Sequence, residues 1–198
     1  IDRSLVGSEM CIRDRNMSGM FKNAQRFNKP LNNWTVDKVE NMSEMFRATR
    51  LFDQPLDNWQ VGNVTNMDWM FAGARRFNQE VEGWNIQNVN RMSQMFAGTK
   101  VFDKPLEGWK DKMGNIRIMS GMFKNAEIFN KPLNDWNVSD VTNMDEMFYG
   151  AELFDQPLDQ WDTGKVTSMQ GMFREAEVFD DPSINEWDVR KVKNMNNM

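Results

Sequence analysis

The chain of 198 residues contains no histidine, one cysteine and one tyrosine. Without histidine, the usual general base near neutral pH is missing, and so are the commonest nitrogen metal ligand and every Ser/His/Asp or Cys/His arrangement. A single cysteine, Cys11, allows no disulfide within the chain and no thiolate cluster, which leaves the redox compartment open. No stretch approaches the roughly 20 apolar residues that a membrane-spanning helix needs, so direct membrane insertion of this segment is not expected. No signal peptide or anchor is recognisable in it. With a net charge of −5 and no run of Lys and Arg, nucleic acid and anionic lipid are not expected partners.

Against these absences stand 18 Met, 14 Phe and 8 Trp. Trp34, Trp59, Trp84, Trp109, Trp136, Trp161 and Trp187 are spaced 25, 25, 25, 27, 25 and 26 residues apart, and only Trp69 falls outside the series. The dipeptide Met-Phe recurs in the same phase from Phe21 to Phe173, and a second Phe follows six residues later each time, from Phe27 to Phe179. Met occupies two further columns, and all six prolines share one. The composition is one motif multiplied, F-[ND]-x-P-L-x-x-W-x-V-x-x-V-x-x-M-x-x-M-F-x-x-[AT].

Within the motif the apolar spacing changes. Val39, Met42, Met45, Phe46 and Thr49 are three or four residues apart, which predicts a short helix. Asn41, Asn66 and Asn143 are candidate caps, Glu44 and Glu146 would complete capping boxes, and Gly73, Gly98 and Gly150 fall near the helix end. The half-repeat FNKPLNNWTV, Phe27 to Val36, reads as a strand starting after its Pro and pointing Leu31 and Trp34 inward. A lone unit cannot cover its large apolar side chains, so units must stack like on like, with parallel strands about 4.8 Å apart. The expected fold is an α/β repeat solenoid, leucine-rich-repeat-like, with one short parallel strand and one short helix per coil of about 25 residues.

These units, for example FNKPLNDWNVSDVTNMDEMFYGAELF from Phe129 to Phe154, resemble the BspA-type leucine-rich-repeat surface proteins. The phasing returns with few breaks: two extra residues in KDKMGNIRIM, one in DPSINEW, and Glu80 where Pro is expected. The resemblance implies a strand-plus-helix solenoid at the cell surface, outside the cell, with a role in adhesion or partner binding. It carries over no catalytic residue and no cofactor. Residues 1–15 fit no repeat, and LVGSEMCIRD, Leu5 to Asp14, resembles the translation of a transposase-type sequencing adaptor. They are read as a disordered non-native leader, and 16–198 as a single solenoid of about seven repeats, truncated at both ends.

Three columns are candidates for chemistry. The Met columns read as core filler rather than a soft-metal or haem site. The Asn/Asp column, Asn28, Asp53, Asn78, Asp103, Asn130, Asp155 and Asp180, offers oxygen ligands for calcium, but Asn at three of the seven positions suits turn hydrogen bonding better. The third column is Asn32, Asp57, Glu82, Glu107, Asn134 and Asp159, which should point outward as an acidic strip for a partner or be an ordinary solvated face. Two of its carboxylates could in principle serve glycoside hydrolysis, yet no unique loop singles out a pair. The expectation is therefore a noncatalytic protein- or glycan-interaction surface within a larger adhesin-like protein, with neither catalytic nor metal-binding residues. A passive spacer and a polysaccharide-active parallel β-helix enzyme are the alternatives.

Overall fold

The computed structural model describes residues 15–198. The leader reading, with its adaptor-like stretch and Cys11, concerns residues that lie outside this range except for Arg15. Seven coils, beginning at Asn16, Asn41, Asn66, Arg91, Ile118, Asn143 and Ser168, stack in register, and an eighth begins at Asn194. Each of these first residues pairs in parallel with its counterpart in the next coil.

The expectation of one strand and one helix per coil is overturned. Among the described residues there is no extended strand and no α-helix, only parallel pairs one residue long and two short 3₁₀ segments. The backbone is instead a succession of tight turns. In the second coil, carbonyls of Met42, Glu44, Phe46, Thr49, Leu56 and Val61 accept from the N–H three residues on. The same set of turns returns along the stack.

The predicted helix fails because the fourth and eighth residues of each of the first seven coils take left-handed backbone angles. Trp69 lies at φ 61° and Gly73 at φ 71°, and Gln94 at 54° and Gly98 at 67° repeat the pattern one coil later. A right-handed helix cannot pass through such residues; they are the third positions of type II turns. Amides between them donate across coils instead: Met67, Trp69, Phe71 and Gly73 bond carbonyls of Arg91, Ser93, Met95 and Ala97 at 2.7–2.9 Å. Asn41 and Asn66 cap no helix, since their side-chain oxygens accept from the N–H two residues on, at 2.9 Å in both cases. Glu44, expected in a capping box, pairs with Lys22 at 2.5 Å and Arg47 at 2.6 Å.

The predicted strand is also a turn. Leu31 accepts from Trp34 N–H at 2.9 Å, and Leu56 from Trp59 at 3.1 Å. The two residues between each Leu and Trp are drawn from Asn, Asp, Glu, Gln and Gly, mostly turn formers, and they override the inward apolar pair. Extra residues are absorbed locally. The 3₁₀ segments Glu107–Lys112 and Pro182–Glu186 fall where the two longest coils depart from the 25-residue spacing.

Inside the turns runs a continuous apolar column system. Phe46, Phe71 and Phe96 stack at centroid separations of 5.5 and 5.8 Å, and each also lies against the second Phe of its own coil at 3.9–4.2 Å. Trp59 and Trp84 stack at 6.4 Å with planes 7° apart. Such offset pairs each add about 0.5–1.5 kcal/mol to the burial of the rings.

Candidate functional site

The strip Asn32, Asp57, Glu82, Glu107, Asn134 and Asp159 occupies the first of the two residues between Leu and Trp, so its side chains leave the core because of turn geometry, not strand alternation. Asp57, Glu107 and Asp159 are exposed, and Asn32, Glu82 and Asn134 half-buried. The strip is joined in pairs rather than continuously. Asn32 Nδ2 donates to Asp57 at 2.8 Å, and Asn134 Nδ2 to Asp159 at 2.7 Å. Glu82 accepts from Gly108 N–H at 3.0 Å, while Glu107 and Asn134 border a shallow hollow of about 250 Å³. Hydrogen bonds from Gln160 and then Asn134 hold the Asp159 carboxyl below its ordinary range, favouring its charged form.

Directly beneath the strip each indole is anchored. Trp59, Trp84, Trp109, Trp136, Trp161 and Trp187 donate Nε1–H to the carbonyl of Leu31, Leu56, Val81, Leu106, Leu133 and Leu158 of the preceding coil, at 2.9–3.2 Å. This bond fixes the turn that carries each strip residue. The spacing of the tryptophans gives their inward direction but no sign of this bond.

The Asn/Asp column forms a second ladder. Asp53, Asn78, Asp103, Asn130 and Asp155 donate backbone N–H to the side-chain oxygen of the residue one coil earlier, all at 3.0 Å, and Asp180 does so at 3.3 Å. These oxygens are therefore spent on backbone donors rather than converging on one point. Among the described residues, no group of three or more Asp, Glu, Cys or His is placed to hold a metal ion. The alternation Asn, Asp, Asn, Asp, Asn, Asp over the first six positions sets carboxylates two coils apart, about 10 Å, where repulsion is largely screened.

Two surface features lay outside the sequence reading. Trp69, the tryptophan off the main series, packs under the Arg47 guanidinium at 4.3 Å, where other coils use an ion pair such as Lys124 with Glu146 at 2.6 Å. On another face, a groove of about 590 Å³ runs over the left-handed turn residues Gly73, Gly98 and Gly150. Its walls carry Arg75 and Lys100 at one end and Glu152 and Glu177 at the other. The charge switch is visible in the sequence once the coils are aligned.

The fold defines a repeat protein whose coils of about 25 residues present turn-borne columns of side chains. Two stretches, residues 15–115 and 110–198, match the family described as Mycoplasma protein of unknown function, DUF285, and the chain belongs to that family. The two matches overlap inside the coil that holds the two-residue insertion. No curated protein and no solved structure matches the chain.

Proposed function

We propose that this chain is a noncatalytic interaction surface for a protein or glycan ligand, part of a larger adhesin-like protein related to the BspA-type surface repeat proteins and displayed outside the cell. The observation that carries the reading is the repetition of outward polar side chains on successive turns, Asn32 to Asp159, above a rigid ladder of anchored indoles. A surface held this way meets a ligand with little ordering cost, and its carboxylates and amides are suited to sugar hydroxyls and to basic or amide-bearing side chains. The net charge of −5 argues against nucleic acid as the ligand.

The test is binding of the displayed chain to matrix proteins, host cells and a glycan array, with Asp57→Lys and Glu107→Lys as variants at exposed positions. The proposal expects saturable binding to at least one class and its loss in the variants at an unchanged thermal midpoint. Absence of any saturable ligand, or variants that bind like the parent, would assign the strip to a solvated face and the chain to a spacer role.

A further inference from the structure

The groove over Gly73, Gly98 and Gly150 is bordered, from the third coil to the seventh, by the residue two places after this left-handed position. From the second to the seventh coil that residue is Arg50, Arg75, Lys100, Glu127, Glu152 and Glu177. Three cations are thus followed by three carboxylates along one line, at the coil spacing of about 4.8 Å. The next residue along the chain is apolar in five of these six coils: Leu51, Val101, Ile128, Leu153 and Val178 are 37–49% exposed. They are the larger part of the exposed bulky apolar side chains among the described residues.

We infer that this face binds a second copy of the same chain, side by side and antiparallel. A two-fold axis between the fourth and fifth coils, perpendicular to the stack, brings Arg50 opposite the other copy's Glu177, Arg75 opposite Glu152 and Lys100 opposite Glu127. The same rotation lays Leu51 against Val178 and Val101 against Ile128, and places Leu153 on the aliphatic stem of Arg76. A self-complementary patch of this kind closes into a dimer and leaves no further site open. Parallel association would oppose like charges in all six coils and is excluded. Lys100 and Glu127 form an ion pair within one chain, so at the axis they would join a cluster of four charges. Arg50, Arg75, Glu152 and Glu177 make no ion pair within the described chain and are available to the partner.

Sedimentation velocity on the full chain tests this. The parent should form a dimer that weakens as NaCl rises from about 50 to about 500 mM. The basic-end variant, Arg50→Glu with Arg75→Glu, and the acidic-end variant, Glu152→Lys with Glu177→Lys, should each self-associate more weakly than the parent by more than about tenfold. Mixed one to one, they should form a heterodimer, because each then supplies the charge that the other lacks. All four substitutions fall on exposed side chains, and circular dichroism of each variant should overlay that of the parent. A parent that stays monomeric to about 100 μM would overturn the inference. So would association that ignores both reversals, as contact through the coil ends or with the acidic strip would, or a mixture that stays monomeric.

Discussion

Replacing Trp84 by Phe isolates the bond that ties one coil to the next. Trp84 is buried, stacks on Trp59 at 6.4 Å and on Phe71 at 6.2 Å, and donates to the Leu56 carbonyl at 3.0 Å. Phenylalanine keeps an aromatic ring in the stack but has no donor. The Leu56 carbonyl keeps the Trp59 N–H as a partner at 3.1 Å, so losing the indole bond costs about 0.5–1.5 kcal/mol. The volume lost between indole and phenyl, roughly 40 Å³, adds about 1 kcal/mol if the site does not collapse. The sum, about 1.5–2.5 kcal/mol, is a sizeable fraction of the stability of a domain. Trp69→Phe is the control, because Trp69 is half-buried, lies outside the core column and loses only part of its contact with Arg47. Its cost should stay below about 1 kcal/mol. Urea unfolding followed by circular dichroism, supported by calorimetry, reads both. Equal costs for the two variants, or a Trp84→Phe cost below about 0.5 kcal/mol, would refute the assignment of the indole N–H as a structural tie.

Further predictions concern the turns, the oxygen ladder and one ion pair. Gly98→Ala should destabilise the chain by about 1–2 kcal/mol through its left-handed backbone alone, since an added Cβ would meet only the Gly73 backbone at 3.7 Å. Gly83→Ala, with nothing within 4 Å of its Cβ position, should be close to neutral in the same melt. Asn78→Ala removes the acceptor of the Asp103 N–H and should cost about 1–2 kcal/mol. Asn78→Asp keeps an acceptor but sets three carboxylates on successive coils, so its smaller cost should shrink with added salt. Glu44 is held below the ordinary value of 4.5 by hydrogen bonds from Lys22 and then Arg47. Its contribution is therefore fully present above that pH and is lost as pH falls through the lowered folded value. Glu44→Gln should lower stability by less than about 1 kcal/mol at pH 7, and the difference from the parent should disappear in acid.

The columns of the core could be read from spacing because like residues in equal coils have to meet: Phe, Met, Leu and Trp at one phase each leave no other register. Local backbone was harder to read. Met42, Met45, Phe46 and Thr49 lie inward both on a helix and on a chain of three-residue turns, so apolar spacing alone does not separate the two. The distinguishing signal was present in Gly73, Gly98, Gly150, Asn23 and Asn125, which share one phase at left-handed angles but look like residues near a helix end. Glu44, Gln94 and Trp69 obscured it, because their side chains do not advertise a positive φ. The strip Asn32 to Asp159 is legible as a column from spacing alone, but its outward direction follows from the Leu–Trp turn and not from strand alternation. The indole-to-carbonyl bonds could not be found from spacing, since donor and acceptor are about one coil apart and only the stacked backbone brings them together. The charge switch from Arg75 to Glu177 likewise acquires meaning only when those residues line one groove.

Residue-resolved NMR over 67–73 tests the turn-and-ladder backbone most directly, by carbon chemical shifts together with amide exchange. Trp69 and Gly73 should show left-handed shifts, and the amides of Met67, Trp69, Phe71 and Gly73 should exchange slowly because each donates to the next coil. Uninterrupted right-handed helical shifts across this segment, or fast exchange at these four amides in the folded chain, would contradict the account.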